Sequence, residues 1–165
     1  MLENCKTKEE RHDGVEQLVN RWLTERQELI VLYCSLAGNN TFSPDCSQSI
    51  GKLRKFCEIL LDYVSAGHFE VYDQLVREAE AFNDGTETLL EALYPQLRET
   101  TEIALSFNDT YDSDEHCQQA MGDLKDRLSH LGEVMDQRFA LEDELIQVLH
   151  KSHEPAKSLK TAANA

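Results

Sequence analysis

The sequence predicts an all-α protein: an up-and-down four-helix bundle with a bend or break in its second helix near Gly67 and a long C-terminal helix. Three observations lead there. Glycine and proline are scarce, 7 and 3 in 165 residues, and β-branched runs are absent. Apolar residues recur at the three-and-four spacing of helices rather than the alternation of strands. Turn and capping residues fall at only a few places, which cut the chain into long amphipathic stretches joined by short loops.

The first helix is expected from about Val15 to Ala37. At about 100° per residue, Val15, Leu18, Val19, Trp22, Leu29, Tyr33 and Leu36 share one face. Gly38-Asn39-Asn40 should end it. Ser43-Pro44 reads as an N-cap with proline at the first helical position, opening a second helix with the stripe Ile50, Leu53, Cys57, Leu60, Leu61 and Val64. Beyond Gly67 the pattern resumes with Phe69, Tyr72, Leu75, Val76 and Ala79, and Asn83-Asp84-Gly85 makes the next turn. A third helix is expected over Thr88 to Asn108, broken or kinked near Tyr94-Pro95. Asp112-Ser113-Asp114 should cap a long fourth helix that runs from about His116 to Lys151. One domain is expected over residues 1–153, with a disordered tail over 154–165.

Composition excludes several classes. No apolar run approaches the roughly 18 residues of a membrane span, and MLENCKTKEERHDG lacks the apolar core of a signal peptide. Five cysteines with no CxxC pair suggest reduced thiols in a cytoplasmic protein and argue against structural zinc. The net charge of −15 is concentrated in the middle of the chain. From Glu58 to His116, fifteen Asp and Glu face only Arg77 and Arg98. Such a surface repels phosphate backbones, so direct nucleic-acid binding is not expected. It serves solubility alone, or it attracts a basic partner.

Charged residues fall where a core should be. Arg138 and Glu142 sit mid-stripe among Leu124, Leu128, Leu131, Met135, Ile146 and Leu149, four residues apart. Arg26 sits between Trp22 and Leu29 on the first helix. An isolated buried ion is too costly, so Arg26, Arg138 and Glu142 should meet across the bundle, with Asp143 or a wet cavity beside them. Such a network either lines a pocket or fixes helix register. On the second helix Asp62 projects to solvent, with Glu58, Ile59, Ser65 and Ala66 near that side. Phe69 either joins them as a docking patch or is turned into the core by the bend.

Catalytic motifs are missing. A di-metal bundle needs paired ExxH motifs, and the single one, Glu9 to His12, has no mate. His150 and His153 read as a stray surface pair, so no metal and no cofactor are expected. A histidine-phosphotransfer bundle is the main rival class, but Glu133 follows His130 where an activating cation belongs. There is no glycine phosphate loop and no nucleophile elbow. The chain is expected not to be an enzyme.

Four segments, read together, carry a resemblance. LVNRWLTERQELI (Leu18 to Ile30), FCEILLDYVSAGHFEVYDQL (Phe56 to Leu75), YPQL (Tyr94 to Leu97) and LGEVMDQRFALEDELIQVL (Leu131 to Leu149) resemble the Rsd/AlgQ family of anti-sigma factors in order and spacing. The RWL, DY-x-SAGHF and RF-x-LED patterns are specific in combination. The resemblance implies an all-α protein that binds the C-terminal, promoter −35-reading domain of the primary sigma factor. Sigma would be withdrawn from core RNA polymerase and alternative sigmas favoured, typically in stationary phase. It implies docking through Arg21, Trp22, Arg26, Asp62, Ser65, His68 and Phe69. Arg138, Phe139, Glu142 and Asp143 of the RF-x-LED segment belong to the same set. Apolar residues near the bend suit a weak homodimer as well as a partner, which leaves self-association open.

Overall fold

A computed structural model describes residues 7–38 and 47–154, and among them every long element is an α-helix. Helix α1 (Lys8–Ala37) begins seven residues before the expected Val15, because Thr7 caps it and Glu9 and Glu10 occupy its first turn. The Thr7 hydroxyl accepts from Glu10 N–H at 3.1 Å. It ends where expected, with the Gly38 N–H on the Cys34 carbonyl at 2.9 Å. The expected Ser43-Pro44 start and the tail beyond Glu154 lie outside the described residues.

The second rod is α2 (Ser47–Ala66), one π-helical turn (Gly67–Val71) and α3 (Tyr72–Glu80). Gly67 therefore does not break the rod. A single inserted residue widens it, and the Tyr72 N–H reaches back to the Gly67 carbonyl. A Cβ at position 67 would meet Trp22 Cζ2 at 2.9 Å, so glycine is what lets the indole of α1 lie against this turn. Two stripe assignments need correction. Leu61 is exposed, and Phe69 lies on the surface rather than with Tyr72, Leu75 and Ala79 in the core.

Asn83 and Gly85 adopt positive φ, 51° and 83°, to make the turn into a 3₁₀ segment (Thr86–Thr88) and α4 (Leu89–Thr110). Contrary to expectation, α4 runs through Pro95 unbroken. Pro95 and Glu91 both face solvent, so the carbonyl that loses its partner can be hydrated. The fourth rod is not one helix. Ser113 caps a short α5 (Asp114–Ala120), a 3₁₀ turn spans Met121–Asp123, and α6 (Leu124–Leu149) ends two residues before Lys151.

Neighbours around the ring are α1 with α2, α2 with α4, α4 with α6, and α6 with α1. Pairings of His12 with Glu78 and Trp22 with Tyr63, and of His12 with His150 and Tyr33 with Leu128, run α1 antiparallel to both neighbours. The result is an all-α four-helix bundle. Its core is built from Trp22, Phe56, Tyr63, Leu75, Leu97, Leu124, Leu131 and their neighbours. Among the described residues no helix is long and apolar enough to cross a membrane.

Candidate docking site and buried polar clusters

The charges on the apolar faces of α1 and α6 meet through two tyrosines. Arg138 donates from Nε to Glu142 Oε1 at 2.7 Å, and both side chains are fully buried. Its remaining nitrogens donate to the Tyr72 hydroxyl at 2.9 Å and to Thr101 and Thr100 of α4 at 2.7 and 3.1 Å. The other Glu142 oxygen accepts from the Tyr63 hydroxyl at 2.6 Å. That hydroxyl in turn accepts from Arg26 Nε at 2.9 Å, and Arg26 reaches Asp143 at 2.5 Å. One arginine nitrogen, Arg26 Nη2, lies 3.7 Å from Glu142 and makes no hydrogen bond.

Burial pushes the Glu142 carboxyl above its usual range, with Arg138, Tyr63 and Arg26 pulling it back. Burial followed by the Glu142 charge raises both tyrosines far above theirs. Two buried or nearly buried cations around one carboxylate, with phenols that stay protonated, make an ion-pair network satisfied except at Arg26 Nη2, rather than an acid–base pair.

Trp22 belongs to this interior. Its indole is 2% exposed, stacks on Tyr63 at 4.9 Å, and donates to the Tyr63 carbonyl at 3.2 Å. It therefore does not lie on the surface where docking was expected. Arg26 covers Phe139 at 4.7 Å, and its side chain is 11% exposed, reaching solvent only at the edge.

The surface above this network holds the other expected residues. Phe69 is 80% exposed, the most exposed large hydrophobic side chain described. The π turn puts it there, which decides between the two readings of the bend. Asp62 and Arg21 are exposed, and Ser65 and His68 half-buried. His68 packs edge-on against Phe69 at 5.1 Å and faces the Tyr94 ring of α4 at 5.6 Å. Burial and then the charge of Asp62 raise the Glu25 carboxyl, with Arg21 opposing and Glu70 adding to the rise. Glu25, Asp62 and Glu70 thus share one acidic field beside Phe69.

Sequence reasoning missed Tyr63 and Tyr72 as the links of the network, Tyr94 as part of the patch, and a second buried cluster. His12, Glu78 and His150 are 6%, 1% and 1% exposed, with both imidazoles hydrogen-bonded to Glu78. The reading of His150 as one of a stray surface pair is overturned, since it is 1% exposed. Each member of the cluster sits three or four residues from a buried apolar neighbour: Val15, Leu75 and Ile146. The periodicity that marked Arg26, Arg138 and Glu142 would have marked these too. Burial pushes the Cys57 thiol up to about 12, which leaves that residue a poor nucleophile.

Fold and surface define a class: a helical bundle with a buried ion-pair network and an exposed aromatic–acidic patch that suits binding to another protein. The chain belongs to the family described as "Regulator of RNA polymerase sigma(70) subunit, Rsd/AlgQ", whose sequence model matches residues 1–150. It is similar to the "Regulator of sigma D" of Yersinia enterocolitica serotype O:8 / biotype 1B, 34% identical over 158 residues and 95% of each chain. The protein of that name from Yersinia pseudotuberculosis serotype O:1b is 33% identical over 158 residues, 95% of this chain and 94% of its own. That of Enterobacter sp. (strain 638) is 37% identical over 149 residues, 88% of each.

Proposed function

We propose that this protein is an anti-sigma factor that binds the C-terminal, −35-reading domain of the primary sigma subunit and so reduces its use by core RNA polymerase. The family and the names of its relatives support sigma as the partner. The observation that carries the site is Phe69, 80% exposed, packed on His68, which in turn faces Tyr94, with Glu70 next to it in the chain and Asp62 and Glu70 both acting on Glu25. A DNA-reading domain is basic because it binds phosphates, so an acidic face with a central aromatic anchor competes for that surface. The inhibition is cover, not chemistry. Asp62, Ser65, His68 and Phe69 make the contact, with Arg21 at its edge. Trp22, Arg26, Phe139 and the Arg138–Glu142 pair hold the helices that present it. The family resemblance supports a cytoplasmic setting and action in stationary phase, when alternative sigmas are favoured.

The test is size-exclusion chromatography of the full chain with and without the isolated sigma C-terminal domain, followed by titration calorimetry. A stoichiometric complex is expected, and the lone-chain run also reads whether a weak homodimer forms. Phe69→Ala should weaken binding by about 2 kcal/mol, roughly thirtyfold, as loss of a central aromatic anchor does. Asp62→Lys should weaken it as well. A complex that tolerates both substitutions moves the docking face elsewhere on the bundle, and no complex at all removes the proposal.

A further inference from the structure

At the end of the bundle where α1 begins and α6 stops, two imidazoles lie stacked between two carboxylates. The rings of His12 and His150 are 4.2 Å apart and 13° from parallel. Glu78 of α3, 1% exposed, bonds both of them through Nδ1, at 2.7 Å to His12 and 2.6 Å to His150. Those bonds keep a proton on each Nδ1 and leave Nε2 as the nitrogen free to bind elsewhere. Both Nε2 atoms have the same neighbour, Glu16 of α1. Its Oε2 lies 2.5 Å from that of His150 and 3.9 Å from that of His12. The Glu16 side chain is 47% exposed, so the nitrogen side of the cluster opens to solvent while the Glu78 side is closed.

We propose that His12, His150 and Glu16 form a binding site for a divalent transition metal, with zinc the best fit, and that Glu78 orients both imidazoles. Two imidazole nitrogens and one carboxylate are a common zinc donor set, with the fourth position left to water. Imidazole donors disfavour calcium and magnesium, which take oxygen. A carboxylate on the far nitrogen of each ligand histidine is the usual outer support of such a site, and here one carboxylate serves both rings. It also gives a reason for a glutamate in the core, where a carboxylate is otherwise costly.

Ligands around one zinc each stand about 2.0–2.2 Å from it, wider apart than hydrogen-bonded neighbours. Metal entry therefore moves Glu16 outward, where it has room, and fans the rings out of their stack about their bonds to Glu78. The proton shared between His150 and Glu16 leaves to solvent as the metal takes its place. The bound ion would tie the first turns of α1 to the last turn of α6.

The experiment is titration of the full chain, stripped with chelator, with Co²⁺ and with Zn²⁺, followed by visible absorption, calorimetry and thermal melting. A single saturable equivalent is expected. The cobalt spectrum should show nitrogen and oxygen ligation without a thiolate charge-transfer band, and Zn²⁺ should raise Tm. His12→Asn with His150→Asn should abolish binding. Glu78→Gln should weaken it about tenfold to a hundredfold through the outer contacts alone. Glu16→Gln changes a half-exposed residue, keeps the fold by circular dichroism, and should weaken binding even if the histidine variants do not fold. No saturable binding by the folded wild-type chain overturns the proposal. Binding unchanged by Glu16→Gln and Glu78→Gln, or a thiolate band in the cobalt spectrum, overturns it equally.

Discussion

The interior of this bundle turns on how one residue, Arg138, is satisfied. Its guanidinium is fully buried, and each nitrogen has a partner: Glu142, Tyr72, Thr100 and Thr101. Removing it alone leaves Glu142 with Arg26 at 3.7 Å as its nearest remaining cation, while the Thr100 and Thr101 hydroxyls keep only the Leu97 carbonyl, at 2.7 and 3.0 Å. Arg138→Met should therefore cost about 3–5 kcal/mol, the usual penalty for breaking one side of a buried pair. Replacing both members, Arg138→Met with Glu142→Leu, removes the uncompensated charge and should recover much of that loss. Urea denaturation of the wild type, both single variants and the double variant closes the cycle. A double variant as unstable as the sum of its singles would mean that the two side chains do not act as a pair. Position in the apolar stripe made Arg26, Arg138 and Glu142 legible in the sequence as groups that must meet. The tyrosines joining them were not, because a tyrosine in a stripe reads as ordinary core until its hydroxyl is seen to have a partner.

Among the elements, the π turn at Gly67–Val71 does most to shape the surface. It inserts one residue between α2 and α3, so that Tyr63 and Tyr72 both face inward while Phe69 faces out. Gly67→Ala would place a methyl 2.9 Å from the Trp22 ring, which is itself pinned to Tyr63. The expected outcome is a loss of about 1–3 kcal/mol from overpacking, and not the gain that alanine brings at an open helical position. Thermal and chemical melts decide the sign, and an unchanged or raised Tm would show that Trp22 yields freely. The helices themselves were legible from apolar spacing, and the failures have local causes. Cys117, Met121, Leu124 and Leu128 keep the three-and-four rhythm straight through the 3₁₀ turn at Met121–Asp123, so periodicity reads α5 and α6 as one helix. Pro95 signalled a break that a solvent-facing position avoids. The His12–Glu78–His150 cluster joins three elements with partners 66 and 72 residues apart, and no local pattern shows that they converge.

For the molecule as a whole, the net charge of −15 acts in opposite directions on folding and on binding. Most of that charge lies between Glu58 and His116, on α2, α3, α4 and the turns between them, so like charges are held close in the native state. Self-repulsion of this kind opposes the compact form and is screened by salt within a Debye length of about 8–10 Å at physiological ionic strength. Added sodium chloride should therefore raise the Tm of the free protein. The same salt screens the attraction between the acidic patch around Asp62 and a basic sigma domain, so it should weaken the complex, chiefly by slowing association. Measuring Tm and sigma affinity over one salt series separates the two effects. If the charge served solubility alone, Tm would still rise with salt while affinity stayed flat. If salt lowered both, the buried Arg138–Glu142 and Arg26–Glu142 contacts would have to outweigh surface repulsion in setting stability. Their burial argues against that outcome, because ions in bulk solution screen an interior pair far less than they screen exposed carboxylates.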